Sequence, residues 1–370
     1  MMLWKRSNIA LDIGRARVRA CQFTWRGGKL AGACEVFADA PQTDDSGPAD
    51  QSAAHRAGRL LQQAEFHGRR AAIGANVPPL AFQALTVPDA MFAAPETEWD
   101  TMLRFEGARL LKLQPDEIEV AAWPLPRRGA GRANLAICAL PQSEIARDQQ
   151  LCAALGVELY RVDAAPLALI RAGWAAGPPG EPENPDRALW AVLDIGATRS
   201  TLAIAIGPTC IYVRSLPHGG DALTASIAET LGLQTAMAER VKLELSAEWD
   251  EEGASEAEVD GAARAQLVHV GTIRSGLITR LRTLTAEVRR ALTYSLESTG
   301  ETAPSGLYLS GGGAALRGVC QHFSRALGVG AHMLTPRRAL ARWPGAARCL
   351  RYPDEPAMTT AVGLALGDAP

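Results

Sequence analysis

Two stretches of this sequence carry the same tripeptide, Asp-Ile-Gly: NIALDIGRARVRAC at residues 8–21 and AVLDIGATRSTLAI at residues 191–204. Each is an apolar run ending on an aspartate, then a glycine, a short polar turn and a second apolar run. The second runs are RVRACQFTW at 17–25 and STLAIAIGPTCIYVRSLP at 200–217. Apolar runs bounded by turn residues read as buried strands, so each copy predicts a strand, a tight turn and a return strand. The separation is far longer than any solenoid repeat, which makes this a duplication at the scale of a domain. A glycine just past a strand end lets the backbone turn sharply and bring its N–H groups close to an anion. An aspartate at the strand end can hold a hydrated Mg²⁺ beside that anion. Two such turns facing one another across a cleft would grip the phosphates of one nucleotide from both sides.

The rest of the chain is compatible with this reading and excludes others. At 370 residues and 39.2 kDa it is too long for one ordinary core, so two domains or one bilobed body is expected. A net charge of −2 argues against a general nucleic-acid binder. The cysteines at 21, 34, 138, 152, 210, 320 and 349 form no Cys-x-x-Cys pair and read as reduced thiols. The opening MMLWKRSNIALDIG meets Asp12 before it reaches signal-peptide length, and no window approaches the ~20 apolar residues of a membrane span. The expectation is a cytoplasmic protein, any membrane link of which comes through a partner.

Breaks in composition organise the chain. DAPQTDDSGPADQS (39–52) reads as a turn-rich loop, AGPPGEPENPDRA (176–188) as a Pro-rich divider near the middle, and AEWDEEGASEAEVDG (247–261) as a solvated acidic loop. The expected first lobe is 1–175, with a core at 1–75, a small α+β insert at about 76–160 and an interdomain helix at about 163–175. The expected second lobe is 185–370, with a helical part at about 225–300 and a final helix at 357–367 returning to the first lobe. RRAAIGANVP, AFQALTVP, EIEVAAWPL and RANLAICALP read as strands grouped with the insert, and PETEWDTMLRFEGARLLKL (95–113) as a helix with Pro and acids at its start. Within 265–299, Leu267, Val270, Ile273, Leu277, Leu281, Leu284, Val288 and Leu292 step by three or four, the stripe of one long half-buried helix.

A third glycine element is SGLYLSGGGAALRGV at 305–319: an apolar strand, then Gly311, Gly312 and Gly313, then a helix expected to begin near Leu316. Glycines here can let a flat ring lie on the backbone, while a helix N-terminus favours negative charge. Neither a dinucleotide-binding Gly-x-Gly-x-x-Gly context nor a Walker-type Gly-Lys-Ser/Thr is present.

Two Asp-Gly turns followed by a Gly-Gly-Gly junction, in this order and spacing, resemble the actin, Hsp70 and sugar-kinase superfamily, and within it the PilM and MshI-type proteins of type IV pilus assembly. The resemblance runs over almost the whole chain. It implies an α/β bilobed actin-like fold of duplicated ribonuclease H-like lobes with ATP and Mg²⁺ between them. By that resemblance Asp12, Gly14 and Arg19 lie in the first phosphate loop, and Asp194, Gly196, Ala197 and Thr198 in the second. Gly219 and Gly220 form a turn beside it, Glu239 and Lys242 approach the ribose, and Gly311, Gly312 and Gly313 wall the adenosine. Asp12 and Asp194 would meet the metal through water. The sequence departs from the family pattern at Arg15, Ala16 and Arg17, where small hydroxyl residues are expected. It departs again at Ala165 before Pro166, where a water-ordering carboxylate or amide often stands. Asp163 is the nearest candidate for a catalytic role.

The resemblance further implies a nucleotide-binding adaptor, at most a slow ATPase, that docks the N-terminal cytoplasmic tail of a single-pass, PilN-like inner-membrane protein. Self-association is a further partner expectation. A filament-forming cytoskeletal protein and a small-molecule kinase of the same superfamily are the alternatives. A kinase needs an aspartate base in a polar, Gly-rich setting, which the sequence does not present between 70 and 160.

Overall fold

In the computed structural model, residues 4–14, 17–39, 58–93, 95–126, 134–244, 261–343 and 345–370 are described, without the side chains of 38, 39, 243, 244, 261–275 and 347. Arg15, Ala16 and most of the two loops expected at 39–52 and 247–261 lie outside the described residues.

Each Asp-Ile-Gly folds as a strand pair. In the first, β2 (Ile9–Ile13) turns into β3 (Arg17–Arg26), and the Gly14 N–H donates to Arg17 O at 3.0 Å. In the second, β10 (Leu189–Ile195) turns into β11 (Ser200–Ile206), and the Gly196 N–H donates to Arg199 O, also at 3.0 Å. The likeness extends to whole sheets. The first runs β4 (Lys29–Asp39), β3, β2, β5 (Arg70–Ala75), β9 (Glu158–Ala164), antiparallel up to β2 and parallel beyond it. The second runs β12 (Thr209–Leu216), β11, β10, β13 (Gly306–Ser310), β14 (Ala331–Met333), with the same senses. Short β1 (Trp4–Arg6) precedes β2 along the same strand β3, pairing Trp4 with Arg26 where β2 pairs Asp12 with Arg19. The strand over 70–75, grouped by sequence with the insert, pairs with β2 at the centre of the first sheet. Its run of small buried residues, Ala71, Ala72, Ile73, Gly74 and Ala75, suits a strand covered on both faces.

The insert is a separate three-stranded sheet of β6 (Ala81–Leu85), β8 (Leu135–Pro141) and β7 (Ile118–Pro124), covered by α2 (Glu96–Leu111). Gly107 of α2 permits that contact, since a Cβ there would lie 2.8 Å from Ile118 Cδ1. The insert also reaches the second lobe: Trp123 Nε1 donates to Cys210 O at 3.0 Å, and Leu125 and Ala136 share a core with Leu189 and Ile211.

The lobes are joined by exchanged helices. Helix α4 (Ala165–Ala176) follows β9 of the first lobe yet packs on β10, β11 and β12 of the second. Helix α10 (Thr359–Leu366) follows the second lobe yet packs on β2, β3 and β5 of the first. Where they cross, a Cβ on Gly363 would lie 2.0 Å from Ala168 O, so only glycine fits. Every residue of α10 is buried, and each fully buried Leu or Val there contributes about 1.5–3 kcal/mol. Polar latches fix the crossing: Arg171 NH1 donates to Gly363 O at 2.7 Å, Arg161 pairs with Asp368 at 2.7 Å, and Asp368 accepts from the Asn8 N–H at 2.8 Å.

The second lobe is completed by α5 (Gly220–Leu231), α6 (Thr235–Glu244), α7 (Gly261–Thr299) and α8 (Val319–Leu327). Leu277, Leu281, Leu284, Val288 and Leu292 of α7 are buried against the second sheet, as the stripe predicts. The helix expected near Leu316 begins at Val319. A 3-10 turn at Gly312–Ala315 and an extended Leu316 come first, and Gly318, at φ 77°, leads into α8.

Candidate functional site

Asp12 and Asp194 end equivalent central strands. Asp12 is 6% exposed, and its Oδ2 accepts from Arg19 NH1 at 2.9 Å across the β2–β3 ladder. Asp194 is half-buried, opposite Thr201 on one side and Ser310 on the other. Burial pushes its carboxyl up to about 6, and the Asp12 charge pushes the same way against the Arg19 charge and a Ser310 hydrogen bond. The two carboxylates and Arg19 thus bear on one another electrostatically.

Gly14 leaves room for the Arg19 guanidinium, since a Cβ there would lie 3.1 Å from NH1. Phe37 of β4 lies under both Arg17, 4.7 Å from Cζ to ring centroid, and Arg19, 5.6 Å. Arg17 is exposed and, across the cleft, its charge helps lower Glu239.

The second turn is held to a helix start. The Gly220 N–H donates to Gly196 O at 2.9 Å and the Asp221 N–H to Ala197 O at 2.7 Å, while a Cβ on Gly219 would lie 2.3 Å from Ala197 O. Glycine at 219 is therefore required by the close approach of two backbones. Ala197 is half-buried and Thr198 exposed at the tip. Below them Lys242, 5% exposed, donates to Glu239 Oε2 at 2.6 Å, to Thr224 Oγ1 at 2.9 Å and to Gly220 O at 3.4 Å. Partial burial pushes Glu239 up, but the Lys242 and Thr224 hydrogen bonds hold it below the usual carboxylate range.

The three glycines divide their work. Gly311 has φ +82°, and a Cβ on it would lie 2.6 Å from Asp194 Oδ1. On Gly313 a Cβ would lie 2.2 Å from Ile195 Cγ2. Both press the turn onto β10, and Gly312 alone opens on free space, with nothing within 4 Å of its Cβ position. A small cavity lined by Ile195, His218, Gly219, Leu284 and Leu316, with Arg280 also in its wall, adjoins this turn.

Asp163 stands apart from this group. It lies on β9 opposite Gly74 of β5, two strands from Asp12, which is roughly 10 Å at ordinary strand spacing. Its Oδ2 is 3.2 Å from Arg171 NH2 and 4.0 Å from Arg161 NH2, within the network that latches α4 to α10. Ala165 opens α4 and is buried. Three residues of the site were not singled out from the sequence: Phe37, Thr224 and Ser310. Ser310 directly precedes the three glycines and Thr224 lies one helical turn beyond Gly220, signals that spacing offers. Phe37 has no local signal, because only the β3–β4 pairing brings it to the arginines.

Over 98% of this chain and 99% of the other, the structure matches a solved PilM–PilN type IV pilus biogenesis complex, with a TM-score of 0.72 at 22% identity. The fold is actin-like. The ethanolamine utilization protein EutJ from Carboxydothermus hydrogenoformans matches over 98% of this chain and 89% of its own, with a TM-score of 0.50 at 16% identity. Residues 191–363 match the family described as cell division protein FtsA. No curated protein matches the chain. In this actin-like fold the two hairpins end equivalent central strands of the duplicated sheets, and Gly219, Gly220 and the three glycines border the second of them. Among the described residues no group of three or more His, Cys, Asp or Glu side chains is placed to hold a metal. With Asp12 engaged by Arg19, Asp194 is the carboxylate best placed to meet a hydrated divalent ion.

Proposed function

We propose that this chain is a nucleotide-binding adaptor of type IV pilus assembly, binding ATP between its lobes and docking the N-terminal cytoplasmic tail of a PilN-like inner-membrane protein. The observation that carries this is the pair of facing Asp-Ile-Gly hairpins, closed by Gly219 and Gly311–Gly313, within a fold shared end to end with PilM. The triphosphate lies against the turns at Gly14 and at Gly196, Ala197 and Thr198, where the Gly14 and Gly196 N–H groups close the turns and the backbone N–H groups beyond Gly196 meet the anion. Glu239 and Lys242 approach the ribose and Gly312 the adenine. Asp194 is the residue that would hold Mg²⁺ through water, and the ion would supply charge neutralisation at the phosphates. The orientation of the nucleotide rests on this chain's own turns and glycines.

No helix among the described residues is long and apolar enough to cross a membrane, so membrane attachment in this reading is through the partner's tail. The first lobe and its insert offer short strands whose edges can pair with an extended peptide. Because the cleft joins both lobes, nucleotide and tail affect one another's affinity by the same factor. Calorimetry with ATP and ADP, followed by binding and crosslinking of a synthetic tail, tests the reading. Tail crosslinks within about 1–160, with affinity that changes on adding ATP, are expected. Crosslinks confined to 185–370 remove the adaptor as drawn, and equal affinity with and without ATP removes the switch.

A further inference from the structure

Charge is segregated in this chain. Residues 1–34 hold seven Lys and Arg against Asp12 alone, and residues 336–353 hold Arg337, Arg338, Arg342, Arg348 and Arg351 with no Asp or Glu, in a sequence whose net charge is −2. The fold brings the two segments together at the end of the first sheet that lies away from the cleft. There β1 pairs Trp4 with Arg26 and Lys5 with Trp25, and the β3–β4 turn pairs Arg26 with Lys29. Trp25 in turn meets Trp343 edge-on, 5.4 Å between ring centroids, and the Cys349 thiol lies 3.9 Å from Ala31 O. Lys5, Arg6, Arg26, Lys29, Arg342 and Arg348 thus collect at one end of the molecule. All six are exposed, and none forms an ion pair with a described residue, whereas Arg337 is neutralised by Asp354 at 2.6 Å. Trp4 stands among them 58% exposed, with the Arg26 guanidinium 5.2 Å from its ring centroid, and Arg342 lies 4.8 Å over Trp343. Arg17 and Arg26 are the two ends of β3, about 30 Å apart at ordinary strand rise, so this surface is separate from the cleft.

We propose that this end of the molecule rests on an anionic phospholipid surface, its six basic side chains meeting headgroup phosphates and Trp4 entering the interface between them. Neither nucleotide nor tail is needed for it. The potential of a charged leaflet decays within about 8 Å at physiological salt, so basic side chains held at one end are attracted while charge beyond that reach does not oppose them. Trp favours the membrane–water boundary because its ring is apolar with one polar edge, and the stems of Lys and Arg lie along apolar surface while their heads stay wet. A leaflet presents a plane of phosphates, which suits charges spread over a sheet end. Nucleic acid is the competing polyanion. Single strands, however, are tracked along a groove whose aromatic side chains stack bases, and here Arg26 already covers one face of the Trp4 ring.

The test is cosedimentation of the full chain with vesicles of phosphatidylcholine alone and of an equal mixture with phosphatidylglycerol, with melting curves to establish that each variant is folded. The natural protein should bind the mixed vesicles only, and release them at about 0.5 M salt, where electrostatic reach shrinks to about 4 Å. Arg26→Glu combined with Lys29→Glu should lose at least about 30-fold in affinity, about 2 kcal/mol, and Trp4→Ala several-fold. Arg109→Glu combined with Arg147→Glu makes the same change of net charge at exposed arginines elsewhere and should bind as the natural protein does. No binding to the mixed vesicles, equal binding to phosphatidylcholine alone, or an unchanged Arg26 and Lys29 variant overturns the proposal. Equal losses in the two double variants overturn it too, since net charge and not this surface is then responsible. A double-stranded oligonucleotide that binds more tightly than the mixed vesicles reassigns the surface to nucleic acid and defeats the lipid.

Discussion

Asp194 shows how a functional side chain is carried at a cost to the fold. Its carboxyl titrates near 6 in the folded chain against about 3.9 unfolded, because burial and the Asp12 charge oppose ionisation. A group whose folded pKa is raised destabilises the fold fully above the folded value and releases that cost as pH falls through it towards the unfolded value. Between pH 6 and 4 this residue therefore makes the protein more stable as pH drops, by about 3 kcal/mol at most. Asp194→Asn should raise stability at pH 7.5 by up to that amount in denaturant titration and flatten this limb of the pH profile, while nucleotide affinity falls sharply. Unchanged affinity in that variant removes the two-turn site. Ala165 carries no group to order water, and the Asp163 carboxylate is held by Arg171. Phosphate release should accordingly be slow or undetectable, and turnover near the roughly 10 per second of a typical enzyme contradicts this.

At the scale of elements, the crossing of α4 and α10 is the contact most sensitive to a single added atom. A Cβ at Gly363 meets a backbone carbonyl at 2.0 Å, and a carbonyl cannot rotate away as a side chain can. Gly363→Ala should cost about 3 kcal/mol in denaturant midpoint analysis, at the upper end of ordinary overpacking. Because α10 lies on the strand that ends in Asp12, the same variant should also weaken nucleotide binding without touching the cleft. A Gly363→Ala protein of natural stability shows that the helices slide apart freely and refutes the tight crossing.

Across the whole molecule, each lobe is closed by the other's last helix, and the insert hydrogen-bonds to the second lobe through Trp123 and Cys210 O. Fragments 1–176 and 177–370, divided at the Pro-rich stretch, should each expose one lobe's uncovered sheet face and aggregate when made alone. Coexpressed, they should copurify as one body, since the exchanged helices hold them together. Two halves that each melt cooperatively on their own contradict this account.

The duplication was legible because it is local. Asp12-Ile13-Gly14 and Asp194-Ile195-Gly196 each specify a strand, a turn and a return strand within some fifteen residues, and Gly311–Gly313 announces a third turn in the same way. The stripe from Leu277 to Leu292 is equally local, since helical period is a property of neighbours in sequence. What was not legible depends on pairing between distant strands and helices. The strand over 70–75 reads like those of the insert until β2 and β9 flank it. Arg19 reads as a cation near phosphate until its place opposite Asp12, over Phe37, makes it that residue's partner. Asp163 reads as a candidate for a catalytic role, and only the fold shows that Arg171, brought by the exchanged helix, pairs with its carboxylate. A charged side chain takes its role from the nearest opposite charge in space, and sequence order does not say which residue that will be.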